Sequence, residues 1–381
     1  MRFFHLADLH IGKRLREFSL LADQEDILEK ILGLVGQYRP QAILICGDIY
    51  DKPDPSAEAV ELFDKFLTRL AQYNQPVMLI SGNHDSPERI NYGSSIMAGQ
   101  QVYLAGVFTG QMQSVTLNDE YGDIEFHLLP FIKPAHVRRY YPETNIISYE
   151  DALRAVLSSA PLAPDKRHVL LAHQFITAQG HSPERSDSEQ ISIGTLDNID
   201  ASVFSGFDYV ALGHIHRPQS IGGNHIRYAG SPLKYSFSEA LHHKAVTLVE
   251  IKEHANIAIE LLHLIPRRDL REIRGPIEKL LSPDVYLAAD RNDYLHITLT
   301  DEEDLIDPLV SLRNIYPHIV SLDFDNSRYA AADNDTAIAN IDNKNPLQLF
   351  AEFYALQQNI DLDEGKKAIV QKIFQELEDK R

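Results

Sequence analysis

Apolar and polar positions repeat with two different periods over the first eighty residues. "RFFHLA" (2–7), "QAILIC" (41–46) and "PVMLI" (76–80) are short, nearly unbroken apolar runs. Runs of this length, rich in branched side chains, predict strands buried on both faces. Between them the period becomes helical. In "DQEDILEKILGLVGQ" (23–37), Ile27, Ile31, Leu34 and Val35 share one stripe. In "AEAVELFDKFLTRLAQY" (57–73), Val60, Phe63, Phe66, Leu67 and Leu70 do the same. Strand and helix alternating at this spacing predict βαβ units with parallel strands.

The texture changes from residue 101. "QVYLAG", "MQSVTL" and "IEFHLLP" predict short strands, followed by a helix near 149–159 and the strand "HVLLA". A polar segment follows at 177–192, and "DYVAL", "HIRYAG", "AVTLVEI" and "IAIELLHL" resume the strands. The total predicts a layered α/β domain, two packed sheets with helices outside, over residues 1–265. Residues 266–325 predict a small α+β module: a short helix, the strand "YLHITLT", a helix at "DPLVSLRNIY" and the strand "HIVSLDF". Residues 326–345 are rich in Ala, Asn and Asp and read as a linker. Residues 346–381 predict two amphipathic C-terminal helices. Leu347, Phe350, Phe353, Tyr354 and Leu356 lie close together in the first, an arrangement suited to docking a partner.

Five predicted strands end on polar residues of metal-binding type. "FFHLADLH" brings Asp8 and His10, "AILICGD" Asp48, and "VMLISGNHD" Asn83, His84 and Asp85. "HVLLAH" brings His173, and "DYVALGHIH" brings His214 and His216. Ligands of open α/β sheets bind beyond the carboxyl ends of the strands, so these groups can meet in one crevice. A spacing of two places Asp8 with His10, and His214 with His216, on one side of an extended chain. Gly47, Gly82 and Gly213 precede ligands where a sharp turn needs a permissive backbone. Carboxylate and amide oxygens with imidazoles and no thiolate suit Mn²⁺, Fe²⁺ or Zn²⁺ better than Ca²⁺. The set exceeds the needs of one ion. Two ions about 3.5–4 Å apart, sharing a carboxylate, fit it and would serve in-line phosphoryl displacement. The spacing does not separate Asn83 from His84 as ligand. Of the 17 histidines, those outside these groups, including His5, His127, His168 and His254, are read as structural or surface residues.

Composition narrows the setting. A single cysteine, Cys46, excludes a disulfide within the chain and fits a reducing cytoplasm. "MRFFHLADLH" lacks the apolar core of an export signal, and no apolar stretch reaches the roughly 20 residues of a membrane span. The net charge of −19 is the wrong sign for binding nucleic acid unaided, so a DNA-handling chain would need bound cations or a partner.

The motifs "DLHIG", "GDIYD", "GNHD" and "GHIH" resemble those of calcineurin-like metallophosphoesterases. "GNHDSPERI" and "YAGSPLKYSFSE" further resemble the nuclease subunits of SbcC–SbcD complexes. The resemblance covers residues 1–240 closely and the remainder more loosely. It implies a two-sheet α/β/β/α metallophosphoesterase domain with a small capping domain and a partner-docking tail. Asp8, His10 and His216 would hold one metal, Asn83, His173 and His214 the other, and Asp48 would bridge. His84 would act on the phosphate, with Asp85 in support. The implied activity is Mn²⁺-dependent cleavage of DNA ends and hairpins, alongside an SbcC-type ATPase and as a homodimer within a heterotetramer. Archaeal and eukaryotic relatives tend to carry His where this chain has Asp51, which puts strand handling in question. Lys13, Arg14, Arg16 and Arg89 stand near the motifs as candidate phosphate contacts, and the basic–aromatic stretch "KPAHVRRYY" is a further candidate. Two other readings share the metal motifs: a phosphatase of the same superfamily and a non-catalytic architectural subunit.

Overall fold

The structure is a computed structural model that describes residues 1–189, 198–254, 256–303, 305–326, 345–358 and 361–378. The chain opens with strands β1 (Arg2–Leu6), β2 (Ala42–Cys46), β3 (Val77–Ile80) and β4 (Val102–Ala105), linked in part by helices α1 (Leu21–Tyr38) and α2 (Ala57–Ala71). Every residue of β2 and β3 is buried, as their unbroken apolar runs predict. Next come β5 (Gln113–Asp119), β6 (Gly122–Leu128), α3 (Tyr149–Ser158), β7 (Arg167–His173), β8 (Tyr209–Gly213), β9 (Gln219–Ser220) and β10 (Ile226–Tyr228). Strands β11 (Ala245–Ile251) and β12 (Ile257–His263) then return to the first sheet.

The first sheet has the order β12-β11-β1-β2-β3-β4 and the second β9-β10-β8-β7-β6-β5. Strands β1 to β4 pair in parallel, as do β6, β7, β8 and β10. The sheets face each other across Phe3, Leu44, Met78, Phe126, Leu171 and Tyr209. Ile31, Val35, Phe66 and Leu70 of α1 and α2 cover the outer face of the first sheet, and Leu153 and Val156 of α3 that of the second. Two largely parallel sheets stacked this way aim the carboxyl ends of β1, β2, β3, β7 and β8 at a common rim.

Val60 departs from its predicted place on the buried stripe. It is 43% exposed and borders an open groove with Phe63, Leu67, Tyr92 and Met97. Val60 thus faces this groove, while Ala59 beside it is buried in the core.

Strands β13 (Leu270–Gly275), β14 (Tyr294–Leu299) and β15 (Ile319–Phe324), with helix α4 (Pro308–Arg313), form a separate parallel three-stranded layer. It has its own core around Leu295, Ile297, Leu312 and Tyr316. The sequence pattern missed β13. Its alternation "LREIRG" puts charged side chains on the solvent face of an edge strand and leaves few apolar positions to read. Asp23 of α1 ties this layer to the main body, accepting from Arg268 Nη1 at 2.9 and 3.0 Å and from Tyr294 Oη at 2.8 Å. Helices α5 (Pro346–Gln358) and α6 (Glu364–Glu378) end the chain, joined by a bond from Lys366 Nζ to Tyr354 Oη. Most of the expected linker 326–345 lies outside the described residues. No helix among the described residues is long and apolar enough to cross a membrane.

Candidate metal centre

The five strand ends do meet. His10 Nε2 and His216 Nε2 stand 3.1 Å apart, and with an oxygen of Asp8 they form a tight buried group. Asn83 Oδ1 lies 2.9 Å from His173 Nε2 and 3.0 Å from His214 Nδ1. Between these sets, Asp48 Oδ2 is 3.5 Å from His10 Nε2 and 3.4 Å from His173 Nε2.

The backbone delivers these groups differently from the simple alternation expected. Asp8, His10, Asp48 and His214 have φ values of 54°, 42°, 51° and 100°. They sit in left-handed turns, not on extended chain, because the strands stop just short of them. Positive φ is uncommon for residues with a Cβ and marks strain held by the surrounding structure. The glycines serve mainly as space. A Cβ on Gly82 would come within 2.1 Å of Asp48 Oδ1, and one on Gly213 within 1.9 Å of the Cys46 carbonyl. Only Gly47 of the three also needs a positive φ, 84°.

The donor set fits divalent cations. Asp8 Oδ2 and His10 Nδ1 are buried with no hydrogen-bond partner, a cost few folds leave unanswered. Burial pushes the Asp8 carboxyl up to about 7. It drives the His10 and His214 rings down, His214 to about 3, and so keeps them neutral, the form that ligates metal. Burial also pulls on His173, but the Asp48 carboxylate outweighs it and lifts that ring to about 9. A cation held by His173 Nε2 would have to displace the proton on that nitrogen. His173 Nδ1–H donates to the Cys46 carbonyl at 2.8 Å and turns Nε2 toward the centre.

His84 and Asp85 divide what the sequence left crowded. The His84 backbone N–H donates to Asp48 Oδ1 at 2.9 Å, and its Nδ1 sits 2.9 Å from the Asp51 carbonyl, an acceptor only. Its ring packs edge-on to His10 at 4.8 Å, and a donor atom of His84 falls within 4.8 Å of donors of His10 and Asp48, so geometry alone also allows it a place among the ligands. Asp85 is buried and accepts from the backbone N–H groups of Gly82, Ile49 and Tyr50 at 2.8, 3.1 and 3.0 Å. It thereby stitches the loop after β3 to the loop after β2.

The candidate phosphate contacts separate. Lys13 Nζ lies 2.8 Å from Asp51 Oδ1, itself 3.7 Å from His10 Nδ1. Arg14 and Arg16 occupy a small exposed hairpin, where Arg14 donates to the Glu17 carbonyl at 2.5 Å. Arg89 is paired with Asp54 at 2.6 Å and borders the groove beside α2. "KPAHVRRYY" is knitted into its own surroundings: Arg138 donates to the Ile146 carbonyl, Arg139 lies 4.8 Å over Tyr140, and Tyr141 donates to the Gly110 carbonyl. In α5, Leu347 is buried, Phe353 is 60% exposed, and Phe350 stacks with Tyr354 at 6.5 Å. The side chain of Leu356 lies outside the described residues.

Several supporting residues escaped the sequence reading. Glu239 is fully buried and accepts from Lys244 Nζ and Ser188 Oγ, each at 2.5 Å. Ser188 Oγ is 2.8 Å from His216 Nδ1, and the His216 N–H donates to Glu189 Oε1 at 2.8 Å. Burial would raise the Glu239 carboxyl, but Lys244 and His216 outweigh it and hold it well below the carboxylate range. Gln24 of α1 donates to the His10 carbonyl at 2.7 Å and accepts from the Gly12 N–H at 2.9 Å. Glu239 ends the quoted stretch "YAGSPLKYSFSE", a signal in plain view without a role attached. Gln24 had no signal beyond being a polar residue at a buried helix position.

Comparison with known proteins gives the family. A family model of calcineurin-like phosphoesterases matches residues 1–218. A second, described as the type 5 capsule protein repressor C-terminal domain, matches residues 266–358. The SbcD nuclease of the SbcCD complex of Staphylococcus epidermidis is 35% identical over 326 residues, which is 84% of this chain and 85% of that protein. Among solved structures, a dimetal phosphatase from Danio rerio matches with 12% identity and a TM-score of 0.41, over 69% of this chain and 96% of its own.

Proposed function

The chain belongs to the calcineurin-like phosphoesterase family and is a metal-dependent phosphodiesterase, and on that premise we propose that it is the nuclease subunit of an SbcC–SbcD-type complex. The observation that carries this reading is the 35% identity, over 84% of the chain, to an SbcCD nuclease subunit, with the C-terminal family match at 266–358. The convergence of Asp8, His10, Asp48, Asn83, His173, His214 and His216 on one buried rim supports the metal chemistry it needs. Asp8, His10 and His216 would hold one ion, Asn83, His173 and His214 a second, and Asp48 both, with Mn²⁺ the native metal. When bound, the pair supplies activation of water and neutralisation of phosphate charge.

The remaining steps belong to side chains. With Nδ1–H given to the Asp51 carbonyl, a protonated His84 holds its second proton on Nε2, aimed where a DNA oxygen departs. Asp85 keeps that loop in register with Asp48, and Glu239 keeps the His216 ring turned to the metal through Ser188. Lys13, Arg14 and Arg16 would meet the DNA backbone. Arg89 would do so only after parting from Asp54. The net charge of −19 is consistent with DNA binding that depends on metal and partner.

In this reading residues 1–265 are the nuclease domain and 266–325 a capping domain that guides DNA. Residues 326–345 link them to a tail, 346–381, whose Leu347, Phe350, Phe353 and Tyr354 dock an SbcC-type ATPase. Two copies would pair within a heterotetramer that processes double-stranded ends and hairpins in cytoplasmic DNA repair. The test is a blunt duplex and a hairpin incubated with purified protein and Mn²⁺. Degradation of the duplex and nicking of the hairpin, both abolished by chelation, are expected. Activity confined to small phosphomonoesters would refute the proposal in favour of a phosphatase.

A further inference from the structure

Away from the centre, on the outer face of the second sheet, three more ligand-type side chains come together: Glu125, His127 and His168. We propose that they form an additional, structural site for a borderline divalent ion, Zn²⁺ by preference, with water completing the coordination.

The strand register builds the group. Glu125 and His168 are direct partners across the parallel pair β6–β7, and His127 lies two residues along β6 from Glu125 on the same face. His127 Nε2 and His168 Nδ1 stand 3.0 Å apart, almost the 3.1 Å between His10 Nε2 and His216 Nε2 in the catalytic centre. Glu125 Oε2 lies 4.0 Å from the same His168 nitrogen. All three donor atoms fall within 4.8 Å of one another, around one point.

The surroundings prepare the rings. His168 Nε2–H donates to the Ala163 carbonyl at 2.9 Å, so Nδ1 is a lone pair that accepts from His127 Nε2–H at 3.0 Å until an ion takes that bond's place. His127 and His168 are only 5% and 3% exposed, and burial holds His127 near 4, neutral at physiological pH. Glu125 is 19% exposed on its side chain and gives an ion access from solvent. Two imidazoles and one carboxylate are a donor set that zinc takes with an open fourth position. An ion would replace two contacts: the His127–His168 hydrogen bond, and the contact of Lys166 Nζ, 3.7 Å from Glu125 Oε2, which would swing into solvent.

The full chain, stripped with chelator and dialysed against Zn²⁺ alone, tests this by metal counted per chain. Wild type should carry one equivalent more than Glu125→Gln or His127→Gln, with at least ~10-fold weaker Zn²⁺ binding at this site in Glu125→Gln. Lys166→Met should bind Zn²⁺ more tightly than wild type. Nuclease activity with Mn²⁺ should be equal in all of them, which separates this site from the catalytic one. Should His127→Gln fail to fold, the variant at the partly exposed Glu125, Glu125→Gln, decides alone. Equal metal content in wild type and Glu125→Gln would overturn the proposal and leave a plain hydrogen-bonded histidine pair.

Discussion

Two clusters of ligand-type histidines among the described residues are built in opposite ways. In the catalytic centre every donor but His173, the last residue of β7, stands on a turn past a strand end, four of them with positive φ, and glycines clear the space around them. On the outer face of the second sheet, Glu125, His127 and His168 stand within strands, in register and without strain. Loops at strand ends can aim many groups at one point, which suits chemistry on a charged substrate. Pleated strands offer few donors in fixed positions, which suits a fastener. The difference predicts that damage to the first cluster removes activity and spares the fold, while damage to the second does the reverse.

The sharpest way to break that contrast is Asp48→Ala. It removes the one carboxylate placed between both donor sets. Nuclease activity should fall below detection while the protein still folds, with a lowered thermal midpoint because the buried His173 ring and the His84 N–H lose their carboxylate partner. A folded, active Asp48→Ala protein would contradict the assignment of the centre. Next in size is Glu239→Gln. The carboxylate that holds Ser188 and Lys244 behind His216 should cost about 10–100-fold in metal affinity when neutralised, measured by Mn²⁺ titration of activity. Excess Mn²⁺ should restore most of the rate, which a purely structural lesion would not allow.

The smallest effect is on stability against pH. Burial lowers His5 to about 3 and His127 to about 4, both below the ordinary value of about 6.5. Both are neutral when folded and take up protons more readily when unfolded. Their contribution is complete above pH 6.5 and is lost as pH falls toward 4, at up to about 1.4 kcal/mol per group per pH unit. Denaturant midpoints in chelator at pH 7 and pH 5 should show the fall, and His127→Gln should lessen it. A midpoint independent of pH across that range would show that these rings do not govern acid stability.

Much of the centre was legible because its signals are local. Each strand announces itself by an apolar run and each ligand follows at once, as in "AILICGD" and "DYVALGHIH", so five such strand ends taken together point to a common rim. What failed was longer in range or subtler in cause. The need for Gly82 and Gly213 is a clash with Asp48 and Cys46, residues distant in the chain, and not a local turn. Glu239 and Gln24 act on ligands more than a turn of chain away, through contacts that no periodicity encodes. Val60 followed the helical stripe faithfully, but helix α2 meets an open groove there. His127 and His168 were read as ordinary structural residues because nothing in a linear pattern reveals that β6 and β7 are neighbours.

His84 gives the most direct test of the central claim, that metal binding and phosphate chemistry are divided between neighbours in "GNHD". His84→Gln should retain as much Mn²⁺ per chain as wild type, yet lose about 10²–10⁴-fold in the rate of hairpin or duplex cleavage. Loss of bound Mn²⁺ in this variant, or cleavage at the wild-type rate, would contradict the account.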